Sequence, residues 1–162
     1  MPFKVFLSYG SDPSEQVTAW RLQTLATTHG ITVFVPQRSE SQSARRSQVP
    51  SEQIRRQIDQ SDCVLAIIAS RVGPAVEAEL IYAASRGKTV VPILQEDVVQ
   101  PAFLKKFRTF RFSPWNAGDV ETQVVEFLKG QKQKLSEDRQ QAVGALVAIG
   151  LGLFLLLALT EK

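Results

Sequence analysis

Two periodicities divide the chain. Cys63 to Ala69 is a continuous apolar run of strand length, rich in Val and Ile, and Thr89 to Leu94 repeats it. Such runs mark parallel strands covered on both faces. Between them Val76, Leu80, Ala83 and Ala84 recur at three- and four-residue spacing, which predicts a helix with one apolar stripe, closed by Gly87. Strand, helix and strand form a right-handed crossover unit. In open sheets of this kind ligands sit beyond the carboxyl ends of the strands, where Ser70, Glu77 and Glu79 fall.

The rest of the chain extends this unit. Val5 to Tyr9 is a short apolar strand entered directly from Met1-Pro2-Phe3-Lys4, so no signal peptide is expected. Asp12, Pro13 and Glu15 resemble a capping box with proline at the first helical position, predicting a helix to about Thr28 with Val17, Leu22, Leu25 and Ala26 inward. Gly30 ends it, and Ile31 to Val35 is a second strand stopped by Pro36. Gln37 to Pro50 is a polar loop holding four serines and three arginines. Loops of that length inside a compact domain usually serve function or move.

Ser51 and Glu52 open a short helix through Gln60, with Ile54 and Ile58 inward. After the crossover unit, Pro101 to Lys106 is a turn of helix. Phe107 to Phe112 alternates as a last strand, without distinguishing which face is inward. Asn116 to about Lys134 is a closing helix that turns Val120, Val124, Phe127 and Leu128 inward. Five strands alternating with helices predict an α/β domain with a flavodoxin-like parallel sheet in the order 2-1-3-4-5 and flanking helices. That order brings the turn Tyr9-Gly10-Ser11 beside Ser70 to Glu79.

Composition narrows the chemistry. The chain is 44% hydrophobic and 22% charged, enough for a substantial core, and its net charge of +3 is spread along the sequence. Nucleic acid is therefore not an expected partner, and the pair Arg45-Arg46 reads as solvated surface. The single cysteine, Cys63, excludes an internal disulfide and lies in a predicted strand, where a thiol acts as a small apolar group. The single histidine, His29, stands at a helix end, where it favours the helix dipole. With one of each, no zinc site and no Ser-His or Cys-His triad can be assembled, so no metal is expected and any catalysis runs on carboxylates, hydroxyls and backbone.

Ala142 to Leu159 is eighteen residues without a charged or polar side chain. At ~1.5 Å of rise per residue it spans about 27 Å, the thickness of a hydrocarbon layer. It predicts a C-terminal transmembrane anchor, the alternative being a buried terminal helix. Lys129, Lys132, Lys134 and Arg139 precede it, which places the domain on the cytoplasmic side of the membrane. The expected organisation is a domain at 1–130, a polar linker at 131–141 and the anchor at 142–159. Gly144, Ala148 and Gly152 share one side of that helix, a face suited to self-association.

Lys4-Val5-Phe6-Leu7-Ser8-Tyr9, Ile58-Asp59-Gln60-Ser61-Asp62-Cys63-Val64, and Val76-Glu77-Ala78-Glu79-Leu80 followed by Ala83, Gly87-Lys88 and Val91-Pro92-Ile93 resemble, in order, the boxes of TIR (Toll/interleukin-1 receptor) domains, bacterial type. The likeness covers about residues 3 to 130. The enzymatic members carry a WxxxE pattern; Glu79 keeps the glutamate position and Ala75 replaces the tryptophan. Gly73-Pro74 leading into Val76, Glu79 and Ala83 is also similar to nucleoside deoxyribosyltransferases, which use a glutamate as nucleophile. The resemblance implies NAD⁺ as substrate rather than cofactor, Glu79 as the catalytic residue, and Ser8, Tyr9, Gly10, Gln37, Arg38 and Ser70 as substrate-binding positions. The loop opened by Gln37 and Arg38 gates the pocket and makes assembly contacts in that family.

The residues support this chemistry independently. Breaking an N-glycosidic bond builds positive charge on the sugar, and a carboxylate held near the anomeric carbon stabilises it. Nicotinamide carries a positive charge into the leaving bond, so one carboxylate suffices without a strong acid. The plain alternative makes Glu79 a solvated helix residue or a favourable charge in the first turns, and Glu77, two positions away, points to another face as ordinary surface. No GxGxxG fingerprint is present, which argues against a tightly held redox dinucleotide. The expected function is hydrolysis of NAD⁺ to nicotinamide and an ADP-ribose product on self-association, in signalling or defence. The alternatives are a non-enzymatic interaction module, supported by Ala75, and base transfer on nucleosides or nucleotides.

Overall fold

The structure, a computed structural model, describes residues 2–37 and 49–160, with side chains through 141. Two compact units divide the chain, 1–126 and 127–162. The first holds a five-stranded parallel sheet of β1 (Phe3–Tyr9), β2 (Ile31–Phe34), β3 (Cys63–Ile68), β4 (Thr89–Gln95) and β5 (Phe110–Phe112) in the order β2-β1-β3-β4-β5. Helices α1 (Pro13–Thr27), α2 (Glu52–Asp59) and α3 (Pro74–Ser85) connect the strands.

Patterning explains each strand's place. Every residue of β3 is buried, as a strand covered on both faces requires, whereas the edge strands β2 and β5 alternate: Ile31 and Val33 inward with Thr32 outward, Phe110 and Phe112 inward with Arg111 outward. The last strand is shorter than the alternation from Phe107 predicts. The Phe107 N–H bonds to the Leu104 carbonyl at 3.1 Å, closing the preceding 3₁₀ turn and keeping residues 107–109 off the ladder.

Side-chain parity then sets which elements meet. Phe6 of β1, Val64, Ala66 and Ile68 of β3, and Val90 and Leu94 of β4 pack in one cluster with Ile58 of α2 and Val76, Leu80 and Ala83 of α3. Successive strand residues point to opposite faces, so Ser8 shares the face of Phe6 and looks toward α3, while Tyr9 looks away. Helix α3 ends in a Schellman motif. Gly87 takes φ 70°, its N–H bonds to the Ala84 carbonyl and the Lys88 N–H to that of Ala83, both at 3.1 Å.

The expected transmembrane anchor is corrected. Among the described residues no helix is long and apolar enough to cross a membrane, and the membrane location with a cytoplasm-facing domain goes with it. The stretch 142–159 had been isolated by its composition. Its backbone instead belongs to one helix, α4 (Ala117–Thr160), which passes without a break through the polar residues 129–141. A Gln133 to Glu137 side-chain hydrogen bond of 3.0 Å spans one turn there. The side chains of 142–159, including the face of Gly144, Ala148 and Gly152, lie outside the described residues.

Candidate functional site

A cleft of ≈ 730 Å³ opens at the carboxyl ends of β1 and β3. These strands are in register through Tyr9 and Ile67, and their continuations diverge, one into α1 and one into α3. Neighbouring strands whose connections leave in opposite directions create the crevice of a doubly wound sheet. Its walls are residues 10–12 with Glu15 on one side and residues 70–77 on the other.

Glu79 lies on the buried stripe of α3, three residues after Val76 and beside Leu80, and is 2% exposed. The Ser8 hydroxyl donates to Glu79 Oε2 at 2.5 Å. Strand parity aims Ser8 at the helix, and its register partner Ala66 is the smallest side chain on that face of β3, which leaves room for the carboxylate. The plain alternative, a solvated Glu79, does not describe this residue. Ala75 stands one turn before Glu79 on the same helix face and lines the cleft, so the position of the missing tryptophan belongs to the cleft wall.

The other expected positions divide into groups. Gly10 and Ser70 line the cleft. Ser8 is fully buried against Glu79, and neither is part of the cleft wall. Tyr9 is buried on the opposite face of the sheet, where its hydroxyl donates to the Pro36 carbonyl. Gln37 is exposed and is not part of the cleft wall, and Arg38 lies outside the described residues. Glu77 is exposed yet borders the cleft at its helix-α3 side.

Sequence patterning missed Glu15. Asp12 caps α1, its Oδ1 accepting from the Ser14 N–H at 2.9 Å, and the role of Glu15 reaches beyond that cap. Its carboxylate turns into the fold instead. Oε2 accepts from the Gly10 N–H at 2.6 Å and Oε1 from the Ala69 N–H at 2.9 Å. The available signal is Gly10 five residues earlier: a Cβ there would sit 2.8 Å from Glu15 Oε2.

The remaining reactive groups are remote from chemistry. Burial pushes the Cys63 thiol up to about 12, so it is a packing group. His29 follows the last turn of α1, whereas the cleft meets the first. Among the described residues no cluster of three or more His, Cys, Asp or Glu could hold a metal ion. Asp59 holds α3 to α2 by accepting from the Tyr82 hydroxyl and Arg86 Nε, each at 2.9 Å, and these donors keep its carboxyl below the usual range.

Comparison with known proteins agrees with this architecture. Among solved structures the chain is similar to the Clostridium botulinum CMP N-glycosidase BcmB, at 17% identity and TM-score 0.51, over 75% of this chain and 97% of that one. At that identity the likeness is one of fold. No curated protein matches significantly. A family model described as TIR domain matches residues 5–127, from the third residue of β1 to the first turns of α4. With the match extending over the whole doubly wound unit, the chain belongs to the TIR domain family.

Proposed function

We propose that this chain hydrolyses the N-glycosidic bond of a nucleotide, NAD⁺ first among them, releasing nicotinamide and an ADP-ribose product when copies of its α/β unit assemble, in a signalling or defence role. The observation that carries this is the buried Ser8–Glu79 pair, two residues before Gly10 and one helical turn after Ala75, both of which line the cleft at the β1/β3 divergence. The C1′–N bond breaks with its electron pair passing to the pyridinium nitrogen, which leaves as neutral nicotinamide. Water adds to C1′ and its proton goes to solvent. Positive charge on the ribose in that transition state is stabilised by the Glu79 carboxylate, whose orientation Ser8 holds. A fold likeness to a CMP N-glycosidase is consistent with ribosyl chemistry on this scaffold. The substrate choice has a physical reason: a neutral pyrimidine leaves best with a proton from a general acid, and the one histidine is at the far end of α1.

The test is base release from NAD⁺, CMP and deoxynucleosides by the full chain, free and as forced oligomers, with Glu79→Gln alongside. Nicotinamide release lost in Glu79→Gln is expected. Undiminished activity in that variant removes Glu79 from the mechanism, and turnover of CMP or deoxynucleosides alone favours base transfer on nucleosides or nucleotides.

A second reading has its own observation. Ala75 lacks the aromatic platform and Glu79 is 2% exposed, as befits a domain that only pairs with others of its kind. It predicts no base release in any assembly state, with partner pull-down unaffected by Glu79→Gln.

A further inference from the structure

Glu15 is a buried carboxylate, 3% exposed, that the proposed chemistry does not use. It sits where the two central strands part. The β1/β3 ladder stops at Tyr9 and Ile67, and the N–H groups of Gly10 and Ala69 project beyond it with no strand partner. Buried backbone donors need acceptors, and a carboxylate supplies two in one rigid group. Glu15 reaches both, at 2.6 and 2.9 Å, across 5 and 54 residues of sequence. Gly10 admits the approach because any side chain would bring a Cβ to 2.8 Å from Oε2, and among the described residues this is the glycine with so close a contact.

We infer that Glu15 is a positioning residue: its carboxylate clasps the ends of β1 and β3 and so fixes the spacing of the cleft floor on which the Ser8–Glu79 pair depends. The inference rests on the glycohydrolase reading for its functional half. The chemical reason is proximity. Gly10 follows Ser8 by two residues and Ala69 adjoins Ser70, so releasing the clasp lets both walls drift, and displacements near 1 Å cost about 100-fold in rate. Gly10 is thereby a glycine for the sake of Glu15 rather than for turn geometry, since its φ is not in the left-handed region.

The experiment uses the full chain as Glu15→Gln, Gly10→Ala and the double variant. Steady-state kinetics on NAD⁺ are read at a temperature well below each variant's Tm, and amide proton shifts of Gly10 and Ala69 are read by NMR. The expected result has both amides far downfield in the wild type and moved upfield in Glu15→Gln, with kcat down about 10- to 100-fold and KM changed much less. Each single variant removes the same clasp, so the double is no worse than the poorer single. Folded variants with wild-type kcat, unmoved amides, or additive losses overturn the inference. Should Glu15→Gln not fold, Gly10→Ala alone carries the same readouts. A wild type inactive on every nucleotide defeats the glycohydrolase reading and the positioning role with it, while downfield Gly10 and Ala69 amides would still identify the clasp, which separates the two failures.

Discussion

Ser8→Ala tests the contact on which the site is built. Ser8 is fully buried, Glu79 is 2% exposed, and the hydroxyl donates to Oε2 at 2.5 Å. A hydrogen bond to a charged group contributes roughly 1.5–3 kcal/mol, and its loss leaves the carboxylate with one donor fewer away from water. For a cooperative unit of the size of residues 1–126 that loss lowers Tm by roughly 6–11 °C. Glu79→Gln behaves differently: it keeps a carbonyl oxygen for Ser8 and removes a desolvated charge, so it is destabilised less than Ser8→Ala. Under the proposed chemistry the order of activity is the reverse, with Glu79→Gln inactive and Ser8→Ala retaining residual turnover. Urea unfolding followed by circular dichroism supplies the free energies from midpoints at constant m. If Ser8→Ala unfolds within about 0.5 kcal/mol of wild type, the size of an ordinary surface change, the buried pair is not formed and the site assignment fails.

Three further outcomes follow from other contacts. Glu121 is 6% exposed, and its Oε1 is buried without a hydrogen-bond partner among the described residues while Arg21 lies 3.2 Å from Oε2; burial raises its carboxyl, the arginine opposing. A folded-state pKa above the unfolded one gives stability that is complete below the unfolded value and is lost as pH rises through the folded one. Glu121→Met is therefore more stable than wild type at pH 7, by about 1 kcal/mol, with the gain shrinking toward pH 4 in urea titrations. Gly87→Ala places a side chain at φ 70° with nothing within 4 Å of its Cβ, so the cost is conformational alone, about 1–2 kcal/mol by the same unfolding measurement. Cys63 remains unlabelled by a thiol reagent at pH 8 in the folded chain and reacts fully in urea; rapid labelling of the native chain would contradict its burial.

The sequence by itself determined the sheet. Continuous apolar runs at Cys63–Ala69 and Thr89–Leu94 read as parallel strands covered on both faces, and the caps and glycines around them set helix limits to within a few residues. It also singled out Glu79 through the family resemblance, while local periodicity left open whether that carboxylate was solvated or turned inward. What it left open needed distance. Period two shows that Ser8 and Phe6 share a face, but only packing says that this face meets α3, joining residues 71 apart. Glu15 looked like the last member of a cap because capping is local; its actual acceptor role depends on Ala69, which no pattern around residue 15 reports. Hydropathy likewise isolated 142–159 from its surroundings, whereas helical hydrogen bonds run four residues at a time and carry α4 through the polar turns before it. Local composition decides which elements form, and long-range contact decides which way their polar side chains turn.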